Sequence, residues 1–478
     1  MGELFPSLIA ARRALWRGVR CFGRGLRKFG RAMVYLLPVL VLIHLIAVVV
    51  TGRQLQGDIE RLTKAGIILP ARDLIPSVPA GAENAADVYQ KAWETLRFST
   101  LDESALFDQR WGEHDANWLP LARRVVAANP EYYRLIDRAS RMSHCAFPVD
   151  WEPILSAAFP QIGEMRKAAR MLALRAYVQT ADGRTDDALS SIEALFRVAQ
   201  QAETDPIIIA DLVSYAMQGI GVRTLSEILP ASAPSPAASR SLYDQLAKTD
   251  NVASSLRAVK GEIGLAGMDV FDWVRSGRIS IAQLSSPDEG RISLMRRAPL
   301  WGRVRAWVLR PLFNAEQRAY LSYMEREVRA FELSWPASQR AMSEQEKWLD
   351  RRSNRHPIVN IVTPVFTRVV WSRDRATAAV GTAQIALALK AYRADNATYP
   401  ASLAELEAAG WKLPLDPFGG RPYRYRREGS GFVVWSLGPD MDDDNASRDL
   451  DAYQKLGLSP EEREKNPYDY DVIFRCAR

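Results

Sequence analysis

A short acidic run near the C-terminus has the residue types and the spacing that bind a hard cation. Asp440, Asp442 and Asp444 occupy alternate positions in the stretch Asp-Met-Asp-Asp-Asp-Asn, and Ca²⁺ in proteins is held by carboxylate and other oxygen ligands. Asp451 falls where a helix–loop–helix calcium site has its twelfth-position ligand. Asn445, however, replaces the glycine of such a site, and a predicted strand precedes the run. The pattern therefore predicts a calcium loop of another type, with a solvated acidic loop as the alternative.

No recognisable catalytic motif accompanies this run. The sequence contains no His-Glu-Xaa-Xaa-His, Gly-Xaa-Ser-Xaa-Gly, Gly-Xaa4-Gly-Lys or Cys-Xaa2-Cys. His144 and Cys145 are adjacent, but a catalytic Cys–His pair is spatial and is not shown by adjacency. Carboxylates of the helical part would suit a glycosidase-type pair, although no spacing selects two of them. We predict no catalytic residue. The alternative is an extracytoplasmic hydrolase that acts on glycan or peptide through carboxylates of the helical domain.

The net charge of +7 is concentrated in a short basic leader. Residues 1–31 hold eight basic residues and one acidic residue, so the remaining chain has 55 of each sign and no net charge. This distribution argues against a nucleic-acid-binding body. The leader precedes Ala32–Val50, 19 residues without Asp, Glu, Lys or Arg. About 20 apolar residues of helix cross a bilayer core, and the excess of cations before the run places the N-terminus inside.

These features predict a single-pass protein of a bacterial inner membrane, with a cytoplasmic N-terminus and a periplasmic body. A cleaved signal peptide is disfavoured, because the basic region is long and the residues after the run lack a small-Xaa-small cleavage site. Cys145 and Cys476 would lie on the export side, where disulfides form. Their pairing stays open, since the sequence gives no distance between them.

A helical hairpin is the clearest element of the central part. Apolar residues follow helical spacing on both sides of an Asp-Gly-Arg-Thr turn within Glu164–Ala202. We predict Thr185 as the N-cap of the second helix. The hairpin resembles a single tetratricopeptide unit, and no second copy follows at a fixed period. Single helices are also predicted over 241–276 and 314–350. A helical bundle that binds a protein partner is one interpretation, and a scaffold core is the other.

Arginines and tryptophans alternate in Arg291–Phe313. One interpretation is a lipid-surface contact, with arginines near lipid phosphates and Trp301 and Trp307 at the interface. The alternative is a helix whose tryptophans pack inward while its arginines are solvated. Nucleic-acid binding is not predicted, because the segment would lie outside the cytoplasm.

The last quarter of the chain has a specific order of motifs. A small-residue helix over Arg375–Ala394 is followed by Thr-Tyr-Pro, a short helix, Leu-Pro-Leu-Asp-Pro-Phe-Gly, two short apolar runs, Gly-Pro-Asp, the acidic run and a third short apolar run. This order, over about residues 373–478, resembles the globular head of the major pseudopilin of type II secretion systems. The resemblance implies one long helix packed on three strands.

The resemblance also implies a calcium-binding acidic loop. Asp440 matches the Gly-Xaa-Asp position of the family, and Asp469 and Asp471 match acids just before the final strand. The chain departs from the family at its N-terminus, because roughly 300 residues separate the membrane segment from the head and no prepilin-peptidase site is present. Assembly into a pilus is therefore not implied. A true minor pseudopilin, which would require N-terminal processing, is a further alternative.

Together these observations predict a mainly α protein with a small C-terminal α+β domain and one transmembrane helix. The expected function is non-catalytic. A helical protein-interaction domain and a pseudopilin-like head, with calcium as the ligand, would serve secretion or envelope assembly. The expected organisation is a leader (1–31), a transmembrane helix (32–51), a linker (52–82), a helical domain (83–355) and the head (356–478).

Overall fold

The computed structural model describes residues 5–107, 116–151, 159–279, 300–351, 355–363, 366–449 and 470–476, with the backbone alone for 5–33. Most of these residues are helical, and three short strands form one sheet. This confirms the predicted mainly α chain with a small sheet.

A single N-terminal helix carries the apolar segment. Helix α1 spans Phe5–Lys64 without interruption. From Val34 onward it is long and apolar enough to cross a membrane, with a mean hydropathy of 2.7 over its most apolar window and none of that window buried. The helix then continues into the expected linker, where Leu55 and Leu62 are buried against the rest of the protein. One helix therefore joins the apolar segment to the folded body.

The body contains eleven further helices between residues 71 and 276 of the described chain. They are α2 Ala71–Leu74, α3 Ala85–Thr95, α4 Thr100–Phe107, α5 Trp118–Ala128, α6 Pro130–Ser140, α7 Pro160–Ala181, α8 Thr185–Ala202, α9 Ile208–Ile228, α10 Pro236–Leu246, α11 Asn251–Gly261 and α12 Met268–Ser276. Helices α13 (Leu300–Phe331) and α14 (Ala337–Asp350) follow, so the described body has thirteen with these two. Short 3₁₀ and π turns, Leu229–Ala231 and Glu262–Gly267, connect some of them.

The predicted hairpin is present as α7 and α8. Gly183 has φ +76°, a left-handed conformation that a side chain would strain, and the turn reverses the chain. Asp186 and Asp187 lie in the first turn of α8 as expected. Thr185, however, is the first helical residue rather than the cap. Arg184 holds the cap position, and no side chain there accepts a hydrogen bond from the helix.

Two helices expected to be continuous are broken. The segment 241–276 divides at Ala247–Asp250, because the Asp250 carboxylate accepts a hydrogen bond from Ala253 N and starts α11 there. The segment 314–350 divides after Phe331, since Pro336 lacks a backbone N–H and occupies the N-cap position of α14.

The C-terminal part packs a sheet on one long helix. Helix α15 (Pro357–Val362) precedes α16 (Phe366–Asn396), and the short α17 (Leu403–Ala408) follows. Strands β1 (Arg424–Glu428), β2 (Gly431–Ser436) and β3 (Val472–Cys476) pair antiparallel in the order β1-β2-β3. All residues of β2 are buried, as expected for the central strand.

The sheet and the helical body share one hydrophobic core. Side chains from α7 to α10, from α16 and from all three strands or their immediate flanks form a continuous cluster. Gly381 of α16 allows a close approach, because a Cβ there would lie 2.1 Å from the Tyr423 hydroxyl. That hydroxyl donates to Ala378 O at 3.2 Å. Helix α16 therefore packs against the helical body on one side and against the sheet on another.

Candidate functional site

A buried aspartate anchors the start of the acidic loop. Asp416, in the Leu-Asp-Pro-Phe-Gly motif, is 3% exposed. Its Oδ1 accepts hydrogen bonds from Phe418 N at 2.9 Å and from the Ser436 hydroxyl at 2.8 Å. Its Oδ2 accepts from Leu437 N at 3.1 Å. Burial raises the pKa of this carboxyl, and the hydrogen bonds oppose that rise. Asp416 therefore ties the motif to the end of β2.

A second buried aspartate lies at the other end of the loop. Asp471, one residue before β3, is 1% exposed. Its Oδ2 accepts from Ala446 N at 2.9 Å, whereas its Oδ1 has no hydrogen-bond partner among the described residues. Burial, and to a smaller extent the nearby charges of Asp444, Asp443 and Asp440, raise the pKa of this carboxyl to about 7, although the hydrogen bond from Ala446 N lowers it. A buried carboxylate oxygen without a partner is costly unless a ligand satisfies it.

The acidic run folds back on itself between these anchors. Asp440 Oδ1 accepts from Asp442 N at 3.3 Å, and Asp442 Oδ1 accepts from Asp443 N at 2.9 Å. Asp443 Oδ1 accepts from the Trp435 indole at 2.9 Å and from Asn445 N at 3.0 Å. Asn445 has φ +55°, a left-handed conformation that asparagine tolerates. These local bonds hold the carboxylates of the run close to Asp471.

The predicted ligands are thus partly brought together. Asp440 and Asp444 act electrostatically on Asp471, and so does Asp443, which the alternate spacing had left out. Asp442 is not among the charges that raise the pKa of Asp471. Asp469 lies outside the described residues. Within the described ranges no three carboxylate, histidine or cysteine side chains are close enough to hold a metal as placed. The donor chemistry and the unsatisfied Oδ1 fit a hard cation.

The two cysteines whose pairing was left open are free in this structure. Cys145 and Cys476 are both buried thiols. Cys145 packs in the core of α3 to α8, and burial raises its pKa to about 12. Cys476, at the end of β3, belongs to the core shared by body and sheet.

Several carboxylates of the body have raised pKa values. Glu203, in the loop after α8, has a pKa raised to about 7 by burial, and its charge raises the pKa of buried Asp211 further. The Arg257 guanidinium lowers the pKa of both and donates to Glu203 O at 2.6 Å. Asp211 is 1% exposed. These groups meet part of the requirement for the hydrolase alternative, which is two adjacent carboxylates with perturbed pKa values.

Helix α13 runs parallel to α1. His44 Nε2 lies 3.1 Å from Trp307 O, the Asn314 amide donates to the Thr51 hydroxyl at 3.1 Å, and Arg61 binds Glu325 at 2.8 Å. These pairs are separated by 263, 263 and 264 residues. A constant separation means that the two helices advance in the same direction, residue for residue.

The first half of α13 exposes apolar side chains beside the apolar segment of α1. Trp301 is 81% and Trp307 is 42% exposed, so the tryptophans do not pack inward. Leu312 is the last exposed large apolar side chain at this end of α13. By the constant separation it lies level with Val49, where the apolar segment of α1 also ends. The expected contact segment is described from Leu300 onward, and 291–299 lie outside the described residues.

Comparison of the chain with protein-family models, curated proteins and solved structures found no significant match.

Proposed function

We propose that the protein is a single-pass membrane-anchored scaffold whose folded body faces the periplasm. The exposure of α1 carries this proposal. Its apolar segment is uncovered over a length that suits a bilayer, while the turns that follow bury Leu55 and Leu62 in the body. A soluble protein rarely leaves so continuous an apolar surface in water. Carbonate extraction of membranes tests the anchor, because an integral protein stays in the pellet and a peripheral protein is released.

The C-terminal part acts in this proposal as a pseudopilin-like, calcium-ordered interaction module. Three observations support it: the sheet of three antiparallel strands on one long helix, the buried Asp416 at the start of the loop, and the unsatisfied Asp471 Oδ1 at its end. Asp440, Asp444 and Asp471 would hold the ion. Bound Ca²⁺ would supply positive charge that offsets the repulsion among these carboxylates and so orders the loop.

The first half of α13 contacts lipid in the same proposal. By the constant separation, Trp301 and Trp307 lie level with Pro38 and His44, inside the apolar segment of α1, so both side chains would contact lipid acyl chains. Arg310, which lies level with Ala47 near the end of that segment, would supply positive charge to anionic lipid headgroups. This contact would fix the orientation of the body relative to the bilayer.

Protein partners in secretion or envelope assembly complete the proposal. The test is chemical cross-linking in intact cells followed by purification of the full-length protein from membranes. We expect a reproducible partner set that is reduced when calcium is chelated and in the Asp471→Asn variant. Exposed Asp395 supplies the matched control, since Asp395→Asn should leave the partner set unchanged. Recovery of no reproducible partner from calcium-replete membranes contradicts the proposal.

A hydrolase is the second candidate, favoured by one observation. Glu203 and Asp211 interact electrostatically and have raised pKa values, as an acid–base pair requires. Both are largely enclosed, and Ser214 already donates to Glu203 at 3.0 Å. Hydrolysis of peptidoglycan or peptide by the purified protein, with loss of activity in Glu203→Gln, would favour this candidate over the scaffold.

A further inference from the structure

One face of the first half of α13 has the spacing of a helix–helix contact. Trp301, Arg305, Val308 and Leu312 are separated by four, three and four residues, which is the interval between the contact positions of two packed helices. All four side chains are exposed, with Val308 51% and Leu312 62% exposed. We call this face the α13 seam. Its charged member, Arg305, has apolar neighbours before and after it on the same face.

Arg305 lies near the middle of the apolar segment of α1. The constant separation of the two helices places it level with Leu42. Leu42 is ten residues after Ala32 and eight residues before Val50. At 1.5 Å per residue, about 15 Å and about 12 Å of apolar helix separate this height from the two ends of the segment. In the membrane-anchored protein of the proposed function, on which this inference rests, Arg305 therefore lies deep in the hydrocarbon core.

The described part of the chain offers Arg305 no counter-ion at this height. Its guanidinium makes no ion pair or hydrogen bond with any described residue. Neither the apolar segment of α1 nor residues 300–315 of α13 contain Asp or Glu, and the first acidic residues after them are Asp58 and Glu316. Helix α12 also packs against α13, but the carboxylate of its Asp272 is paired with Arg275. Within the described residues, the charge of Arg305 is therefore not offset.

An exposed cation at this depth is costly in lipid. The headgroups lie farther away than an arginine side chain extends, so snorkelling, which relieves charged side chains near the ends of a membrane helix, does not relieve Arg305. A second copy of this chain does not supply the missing charge either, because its own apolar segment and its own α13 seam lack Asp and Glu. A different protein with a carboxylate inside the membrane meets the requirement.

We propose that the α13 seam binds the transmembrane helix of a partner protein that carries one Asp or Glu near the middle of the bilayer. The carboxylate accepts two hydrogen bonds from the Arg305 guanidinium, and apolar side chains of the partner pack on Trp301, Val308 and Leu312. One charged pair within an otherwise apolar seam selects the partner and fixes the register of the two helices. The anchor of the protein therefore also recognises a second membrane protein.

Synthetic transmembrane peptides test this recognition on the full-length protein in phosphatidylcholine vesicles. One peptide is a leucine-rich helix with a single central Asp, and its matched control has Leu at that position. Energy transfer from a dye at the N-terminus of the protein to a dye on the peptide reports binding. We expect half-maximal transfer at an about tenfold lower peptide-to-lipid ratio for the Asp peptide, since one strong polar contact between membrane helices has about this effect. Equal ratios for the two peptides would overturn the proposal.

Two arginine variants decide whether the preference for the Asp peptide arises at the seam. Arg305→Leu should remove the preference. Arg303 is also exposed and lies level with Leu40, but two residues of helix place it on another face of α13, so Arg303→Leu should keep the preference. A preference that persists in Arg305→Leu, or that is lost equally in both variants, would overturn the proposal.

The lipid composition and a carbonate wash separate the remaining outcomes. The preference should persist in vesicles that contain phosphatidylglycerol. Its loss there would assign Arg305 to anionic headgroups and overturn the proposal. Release of the protein from the vesicles by carbonate would overturn the membrane anchor together with this inference. A protein that stays in the vesicles but does not distinguish the two peptides would overturn this inference alone.

Discussion

Glu327 should make the stability of this protein fall as pH rises. Its side chain is fully buried in α13, and neither carboxylate oxygen accepts a hydrogen bond of normal geometry from any described residue. Burial, helped by the charge of Glu346, raises the pKa of this carboxyl from 4.5 to about 8. The folded protein therefore keeps this proton between pH 4.5 and 8, while the unfolded chain releases it. Since the folded state binds more protons in this window, the free energy of unfolding falls with rising pH.

The size of the effect follows from the two pKa values. Each pKa unit corresponds to about 1.4 kcal/mol. The loss in the free energy of unfolding that Glu327 causes therefore grows from near zero at pH 4.5 to about 2 kcal/mol at pH 6 and about 5 kcal/mol at pH 8. Glu327→Gln removes the ionisation and keeps the shape of the side chain. The entropy of unfolding of a chain of this size is about 1 kcal/mol per kelvin. The variant should therefore gain about 3 °C in melting temperature, relative to wild type, between pH 6 and pH 8.

Melting curves of the full-length protein in detergent measure this difference. Glu203 and Asp471 also have raised pKa values, but they affect the pH dependence of stability equally in wild type and variant. The difference between the two melting curves therefore isolates the effect of Glu327. Exposed Glu332 provides the control, because Glu332→Gln should not alter the dependence on pH. A difference between wild type and Glu327→Gln that stays constant from pH 5 to pH 8 would refute the reasoning.

Three further predictions concern the loop and the membrane contact. Calcium at 10 mM should stabilise the protein by about 1.4 to 2.7 kcal/mol if its Kd lies between about 10⁻³ and 10⁻⁴ M, and so raise the melting temperature. Asp471→Asn should abolish the rise and Asp395→Asn should retain it. An equal rise in both variants would count against the site. Asp416→Asn should lower the free energy of unfolding by about 1–3 kcal/mol, because the amide nitrogen that replaces one carboxylate oxygen cannot accept a hydrogen bond. Backbone amide hydrogen exchange should become faster at Leu437 and Gly438, and unchanged exchange there would contradict the anchoring role. In bilayers with brominated lipids, Trp301→Phe and Trp307→Phe should each reduce the part of the tryptophan fluorescence that the bromines quench. Trp273→Phe, at a buried position, should leave that part unchanged. Equal quenching in all three variants would exclude the lipid contact.

The local elements were largely predictable from the sequence. The Asp-Gly-Arg-Thr turn marked the hairpin, because glycine permits the left-handed conformation that the turn needs. The three strands correspond to three short runs in the sequence: alternating aromatic residues around Tyr425, the apolar run after Gly431 and the run that begins at Asp471. The apolar segment from Val34 was evident from hydropathy alone, which depends on composition and not on distant contacts.

The parts that depend on distant contacts were not predictable. Asp416 accepts hydrogen bonds from residues about 20 positions later, which its local motif does not indicate. Glu327 lies in a helix rich in charged residues, yet it is fully buried. The parallel pairing of α1 with α13 joins residues more than 260 positions apart. No periodicity within one segment reports such pairings, because they arise when the chain packs on itself.

Protease accessibility of the body on the two sides of the membrane tests the central claim most directly. The protein is expressed at its natural level, and protease is added to spheroplasts or to inverted inner-membrane vesicles. If the body faces the periplasm and α1 anchors it, residues after Lys64 are cleaved in spheroplasts and protected in inverted vesicles, and the N-terminal fragment stays in the membrane after carbonate extraction. Cleavage of the body in inverted vesicles with protection in spheroplasts, or release of the intact protein by carbonate, would contradict the account.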